Sequence, residues 1–458
     1  MGNLYIHPVL KEAAAVLNAR GKTAYLVGGA VRDILRGKRA QDFDIATDAL
    51  PEEVMALFPR VFPSGIKHGT VTVRLKGHSL EITTFRSESG YTDGRRPDQV
   101  RYRATIEDDL SRRDFTMNAV AYKLPGGPIV DPYNGREDIK NRIIRCVGRA
   151  EERFAEDGLR PLRAVRFAAQ LGFRVDGATL AAIPGALKVS ARVSPERIRD
   201  ELDKIIASEK PSVGLLLMED TSLLDLLLPE LSRCRGVDQR GFHRFDVLDH
   251  SLLACDYAAR TRAPLQVRLA GLFHDIGKVP TRQSNGAGAY TFYGHEGESA
   301  RMVREIMTRL RYPNALMDQV VHLIAEHMFH YEDSWGDAAV RRFIIRVGED
   351  RLGDLFALRL ADTYAHAGIE PDGNLLAPLI RRIDAVLAQG RAFTLKDLAV
   401  SGRDLGAIGI PSGPRMGAIL KELLEAVVDD PELNRREQLL EIAGNINKRY
   451  APSDPHGA

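Results

Sequence analysis

The hydrophobic pattern changes period along this chain. From Pro8 to Ala19 apolar positions recur at helical spacing and predict an amphipathic helix. Tyr25-Leu26-Val27 is an apolar run that predicts a buried strand, and Val31 to Leu35 predicts the first turns of a helix. Between them, Gly28-Gly29 permits a tight turn and close approach of a ligand to the backbone. Asp42-Phe43-Asp44-Ile45 alternates, so a strand there puts both carboxylates on one face and Phe43 and Ile45 on the other. Thr47-Asp48-Ala49-Leu50-Pro51-Glu52-Glu53 carries a helix start, with proline and acids in the first turn. Thr70 to Leu75 and Ser79 to Phe85 alternate as two strands, and Gly77 between them predicts a hairpin. Arg86 to Val100 is polar and predicts a long mobile loop. From about Arg136 onward the pattern is helical. In Phe154 to Phe173, Leu159, Leu162, Val165 and Ala169 form one apolar side, and Pro161 predicts a kink or break. The fold class is therefore α+β at the start and all-α afterwards.

Composition narrows this only a little. A chain of 458 residues is too long for one ordinary core, so several domains are expected. Apolar content of 44% and charged content of 28% describe a soluble globular protein. Lys and Arg number 64 against 62 Asp and Glu, a formal charge of +2. That excludes a strongly basic RNA-coating protein but leaves room for a local basic surface. No apolar run is long enough to span a bilayer, and the start lacks a secretion signal. Cys146, Cys234 and Cys255 are scattered and odd in number, which fits a reducing cytoplasm without a disulfide framework.

Chemistry enters at the paired aspartates. Two carboxylates side by side repel each other, and a hard divalent cation such as Mg²⁺ relieves that repulsion. Gly28 and Gly29 could cradle phosphates, Arg32 could meet their charge, and Asp42 and Asp44 could hold metal. Together they make a nucleotidyl-transfer kit. Glu81, between Leu80 and Ile82, is a candidate third carboxylate; the alternative is an ordinary exposed strand position. In Arg112-Arg113-Asp114-Phe115-Thr116-Met117-Asn118, a helix would bring Asp114 and Asn118 to one face. The arginines suit a triphosphate, and Asp114 with Asn118 suits ribose hydroxyls. The plainer reading is a capped helix with a basic start.

Asp157, Arg160, Arg163 and Arg166 recur every third residue and form a slowly drifting stripe on a helix. Adenine and cytosine each show an amino donor beside a ring-nitrogen acceptor. Guanine and uracil show a carbonyl acceptor beside an N–H donor. Carboxylate only accepts and guanidinium only donates, so Asp157 with Arg160 matches C and A and mismatches G and U. The plainer reading is an amphipathic helix with surface arginines.

On these residues the chain resembles the class II tRNA nucleotidyltransferases of bacteria, relatives of the poly(A) polymerases within the polymerase β superfamily. Gly28 to Asp33 with Asp42 to Asp44 matches the first family motif, and Arg112 to Ala119 the second. Asp131 to Gly148 resembles the segment joining head to neck. Glu156 to Arg160 matches the base template, and Ser194 to Ile198 with Glu201 the last neck motif. The resemblance implies a polymerase β-like head with a mixed sheet, then a helical neck, body and tail. It implies metal at Asp42 and Asp44, triphosphate at Gly29, Arg32 and Arg113, and base reading by Asp157 and Arg160 supported by Arg163 and Arg166. The loop Tyr91 to Pro97, with Arg95-Arg96, has the form that accompanies terminal A addition in the family and is unlike poly(A) polymerases.

A second set lies downstream. His250, His274-Asp275, His295, His327 and Asp362 are metal ligands in type, and Leu269 to Lys278 reads LAGLFHDIGK. The order His250, His274-Asp275, Asp362 resembles the HD phosphohydrolases, which implies a divalent metal (Mg, Mn or Ni) there; His295 and His327 would serve a second ion. The alternative is a helical domain without hydrolase activity. Further on, Ser401 to Asp404 and Pro411 to Pro414 resemble the family's tail, as helix punctuation or as RNA-phosphate contacts. Pro452 to Ala458 is expected to be disordered.

The expected organisation is a head over 1–135, a neck over 136–235, an HD body over 236–370 and a tail over 371–458. The expected reaction is template-independent CCA addition to tRNA from CTP and ATP in the cytoplasm, with Mg²⁺ at the head and without membrane or DNA partners. The alternatives are A-only addition or poly(A) synthesis. From another class come a phosphohydrolase on 2′,3′-cyclic or 2′-phosphates and a non-catalytic RNA binder.

Overall fold

A computed structural model describes residues 5–40, 42–89, 99–102, 105–239, 244–284, 290–389 and 394–450. The loop motif at Tyr91 to Pro97 and the tail end Pro452 to Ala458 lie outside the described residues. Helix α1 (Pro8–Asn18) buries Val9, Leu10, Ala13, Ala14 and Leu17, the stripe its sequence predicts. It leads to strand β1 (Ala24–Val27), helix α2 (Gly29–Leu35) and strand β2 (Phe43–Thr47). Helix α3 (Pro51–Leu57) begins at its proline, with Glu53 accepting from the Leu50 amide at 2.8 Å. Strands β3 (Val61–Gly65), β4 (Thr70–Leu75), β5 (His78–Thr84), β8 (Ala121–Lys123) and β9 (Ile129–Val130) complete a sheet of order β3-β4-β5-β2-β1-β8-β9. It is mixed, because β2 and β5 run parallel while its other pairs run antiparallel. Lys76 and Gly77, with φ of +47° and +82°, make the two-residue β4–β5 turn.

Two local expectations are corrected. The segment from Arg86 is not wholly loop: β6 (Arg86–Ser89) pairs antiparallel with β7 (Gln99–Tyr102). Arg112 to Asn118 is not one helix either. Helix α4 (Ile106–Ser111) stops first, Phe115 is extended, and Thr116–Asn118 is a single 3₁₀ turn. The cause is tertiary: Phe115 is fully buried, packs edge-on to Phe167 at 5.7 Å and bridges to Cys146.

Helix α5 (Gly135–Asn141) joins head to neck, followed by a short parallel pair, Ile143–Ile144 with Arg174–Val175. The long neck pattern resolves into α6 (Ala150–Glu156) and α7 (Arg160–Leu171), broken at residues 157–159. Pro161 sits in the first turn of α7, where its missing N–H costs nothing. Leu159, Leu162, Val165 and Ala169 are all buried. One continuous apolar core runs from the neck through the body as far as Val386, while the tail has its own core from Leu398 to Ile446. In the tail, Ser401 and Asp404 form a capping box and Pro414 opens the helix Pro414–Asp429, so these positions punctuate helices. No helix among the described residues is long and apolar enough to cross a membrane. All three cysteines are buried and free, and burial pushes the Cys146 thiol up to about 12.

Candidate active site

The site is built where β1 and β2 lie side by side. Val27 pairs with Asp44, and immediately after it Gly28 turns the chain at φ +68° into α2. A Cβ at Gly28 would stand 3.0 Å from Arg113 Nη1 and 3.4 Å from Asp44 Oδ2, so the glycine lets these groups approach the backbone. Asp44 faces Glu81 across the parallel β2–β5 register. Burial raises the Asp44 carboxyl, Arg113 lowers it, and Glu81 and Asp42 raise it again, to about 6.

A cavity of about 580 Å³ opens between head and neck. It brings together Gly28, Gly29, Arg32, Asp42, Asp44 and Arg113 from the first part of the chain. Asp114 and Asn118 line it beside Asp157, Arg160, Arg163 and Arg166. Two expected residues are not in its wall. Glu81 acts on Asp44 through the sheet. The Arg112 guanidinium is held by buried Asp109 at 2.6 Å, and Asp109 also takes Arg113 at 3.1 Å. Arg112 contributes its carbonyl instead, which accepts from Arg160 Nη2 at 2.9 Å.

The wall is braced internally. Asp114 accepts from Arg163 Nη2 at 2.6 Å, Asn118 Nδ2 at 3.1 Å and the Phe115 amide at 2.8 Å. Burial pushes its carboxyl up, but Arg163 and Asn118 outweigh that and hold it at about 2. Asn118 in turn accepts from Arg32 Nη1 at 2.9 Å. The polar atoms expected to meet a ribose thus carry protein contacts. Asp157 accepts from the Leu159 amide at 3.0 Å and from Arg197 Nη2 at 2.8 Å. Arg160 donates to the Glu156 carboxylate, to the Arg153 carbonyl at 2.9 Å and to the Arg112 carbonyl. A guanidinium has five donors and a carboxylate about four acceptor sites, so both keep capacity for a base edge.

Sequence reasoning gave no role to three contributors. Arg197 lines the cavity and fixes Asp157; it stood inside a quoted motif but had no role by spacing alone. Glu201 is buried and pairs with Arg166 at 2.6 Å. Phe167 lies under Arg166, whose guanidinium carbon is 3.8 Å from the ring centroid, and near Arg32 and Arg163. An apolar residue inside an arginine stripe gives no signal of that stacking.

The second set converges in the body from five helices. His250 comes from Val247–Arg260, His274 and Asp275 end Leu265–Phe273, His295 opens His295–Arg309, and Asp362 lies in Leu352–Ala367. His327 follows Asn314–Glu326. His250 Nε2 lies 3.1 Å from Asp362 Oδ1 and from His274 Nε2, and His295 Nε2 lies 3.3 Å from Asp275 Oδ1. His250, His274 and Asp362 form one group with metal-ligand geometry; His274, Asp275 and His327 form another. Burial lowers His274, but Asp275 and Asp362 outweigh it and raise the imidazole to about 10, while burial and His274 push His327 down to about 3. Gly277 lets this cluster close, since a Cβ there would meet the His295 carbonyl at 2.4 Å. Lys278, which donates to Asp275 at 2.6 Å, and His366, 3.4 Å from Asp362, were not singled out; their i+3 and i+4 spacing from a ligand was the available signal.

Known protein families match this chain in three successive segments. The poly A polymerase head domain family matches residues 24–145. The family described as the probable RNA and SrmB-binding site of polymerase A matches 172–234, and the HD domain family matches 243–367. The CCA-adding enzyme of Geobacillus stearothermophilus is 35% identical over 437 residues, covering 94% of this chain and 96% of that protein. That of Lactobacillus johnsonii is 33% identical over 436 residues, covering 95% of each. The crystal structure of the Bacillus stearothermophilus CCA-adding enzyme in complex with CTP superimposes with a TM-score of 0.73 at 31% identity, covering 97% of this chain and 99% of that one. A Thermotoga maritima CCA-adding enzyme complexed with tRNA shares the fold, with a TM-score of 0.53 at 20% identity, covering 96% of each chain. With paired aspartates, braced arginines and an HD cluster in one chain matched along nearly its whole length, this protein belongs to the CCA-adding enzyme family.

Proposed function

We propose that this protein adds C, C and A to the 3′ end of tRNA from CTP and ATP without a nucleic-acid template. The observation that supports the reading is a head–neck cavity lined at once by the Asp42–Asp44 pair, Arg32 and Arg113, and the Asp157–Arg160 pair. The donor set fits a divalent cation, because Asp44 is held up to about 6 by burial with Glu81 and Asp42 beside it. Mg²⁺ bound by Asp42 and Asp44 would supply positive charge at the triphosphate and acidify the attacking hydroxyl. Arg32 and Arg113 offset phosphate charge at the mouth of the β1–α2 turn. Asp157 and Arg160 accept and donate toward the base, and a mismatched base leaves buried polar groups unpaired.

The test is incorporation of each labelled nucleotide into a tRNA transcript lacking CCA and into one ending in CC. Incorporation of C then A, and of neither G nor U, is expected; no incorporation with Mg²⁺ sinks the reading. Addition only to the transcript ending in CC assigns the chain to A-adding instead. Asp42→Ala is expected to abolish transfer while melting unchanged.

A second activity is favoured by the body cluster. Asp275 Oδ1 and His295 Nε2 are buried and face each other at 3.3 Å without a well-aligned hydrogen bond, as ligands awaiting a cation between them do. Bound Mg²⁺, Mn²⁺ or Ni²⁺ would supply an acidified water for phosphoester hydrolysis. His274 and Asp275 orient each other, and Lys278 steadies Asp275. Release of phosphate from 2′,3′-cyclic or 2′-phosphorylated nucleotides is expected to fall to background in His274→Ala; unchanged release rejects this site as its source.

A further inference from the structure

The formal charge of the whole chain is only +2, yet one surface concentrates far more. Two open cavities of about 1010 and 670 Å³ share Arg36, Lys38 and Leu171. The smaller also borders Arg32, which lines the nucleotide cavity too, so the two outer cavities form a trench that adjoins the active site across that side chain. Eight cationic side chains and four carboxylates line the two outer cavities, an excess of four positive charges. The carboxylates are partly occupied. Asp33 pairs with Arg32 and Arg36, and Asp131 accepts from the amides of Gly135 and Arg136.

Three helices end here. Helix α2 closes on Gly37, α5 on Arg142 and α7 on Gly172, each in the left-handed region. Cations at a helix C-terminus commonly offset its dipole, and three ends supply about 1.5 negative charges in all. Helices α2 and α5 have only seven residues each, so their dipoles are weak. The excess of four exceeds what they need. Arg142 adds a second sign: it holds φ +56°, a conformation that favours glycine, at a C-cap where glycine is the usual residue.

We propose that this trench is a track for RNA backbone phosphates, carrying the strand that ends at the active site, with Lys38, Arg39, Arg136 and Arg142 as its contacts. This rests on the reading that the chain extends tRNA. The four residues lie outside residues 172–234, the part matched by the RNA-binding family. Phosphate recognition has another source here, the leaving pyrophosphate. The arrangement favours the strand, because exposed cations spread along an open trench suit many phosphates held through counterion release. A leaving-group site would be compact and buried.

The test uses the full chain with Lys38→Ala, Arg136→Ala and Arg142→Gly combined, and a tRNA transcript lacking CCA. Each lost phosphate contact removes about 0.7–0.9 from the salt slope, so the slope of log K against log salt between about 50 and 200 mM should fall by about 2. Affinity at the lower salt should drop about 10-fold or more, with the KM for CTP and inhibition by pyrophosphate unchanged. Arg142→Gly alone removes the strained conformation and should melt no lower than the natural protein, which separates lost binding from lost folding. Unchanged tRNA affinity and slope overturn the proposal. Weakened pyrophosphate inhibition with tRNA binding intact also overturns it, in favour of a leaving-group path. Failure of the natural protein to extend tRNA would reject the reading of the reaction instead, whereas normal extension with unchanged binding in the variant rejects the trench alone.

Discussion

Arg197 shows how much of base selection sits one step behind the base. Its guanidinium meets Asp157 at 2.8 Å and leaves one carboxylate oxygen aimed by the neck rather than by solvent. A charge-assisted hydrogen bond of this kind contributes about 1.5–3 kcal/mol, or roughly 10–100-fold where it fixes an orientation. Arg197→Met is therefore expected to reduce discrimination of CTP and ATP over GTP and UTP by about 10-fold. Arg197→Lys should restore part of it. A residue with only a structural role would lower the melting temperature and leave nucleotide preference untouched. Arg112 makes the opposite point. By type it resembles Arg113, but buried Asp109 holds its guanidinium away from the cavity and only its carbonyl contributes.

At the scale of elements, the break between α6 and α7 is the decisive feature of the neck. The sequence shows one helical stripe with a proline in it, and the structure puts the break before Arg160 rather than at Pro161. Gly158 explains the place. A Cβ there would stand 2.4 Å from the Val189 carbonyl oxygen, so only glycine lets the break pack against that backbone, where its own carbonyl accepts from Ser190 Oγ at 2.8 Å. Gly158→Ala must push backbone against backbone, an overpacking that costs about 1–3 kcal/mol. A lower melting temperature together with a raised KM for CTP is expected. A normal KM would show that the break does not set the position of Asp157 and Arg160.

For the whole molecule, the relation of head to neck is an ionic clasp. Asp114 binds Arg163, the Arg112 carbonyl binds Arg160, and the Ser111 carbonyl takes Arg153 at 3.0 Å. The folded Asp114 carboxyl titrates at about 2, below the usual value near 3.9 for an unfolded chain. Its stabilisation is present above about pH 4 and is lost as pH falls toward 2. A shift of about two units corresponds to roughly 2.5 kcal/mol. The stability advantage of the natural protein over Asp114→Asn should therefore shrink by about that amount between about pH 5 and pH 2, read from melting curves across that range. An advantage independent of pH would remove Asp114 from the clasp.

The sequence by itself determined the strand–turn–helix with its aspartate pair, the α+β head ahead of helices, the arginine stripe and the ordered histidines. Each is local: alternation places Asp42 and Asp44 on one face, glycine permits the turn, and ligand types stand in order along the chain. What only the tertiary structure decided is which groups meet. Phe115 is extended because it packs on Phe167, some fifty positions away, and that packing overrides the helical pattern around it. Arg197, Glu201 and Phe167 enter the site because the helix Pro195–Ile206 lies against α7. The charged trench exists because three helix ends, scattered in sequence, finish at one surface. Spacing along a chain carries the period of its own helix or strand, while contacts between elements depend on packing that no single stretch encodes.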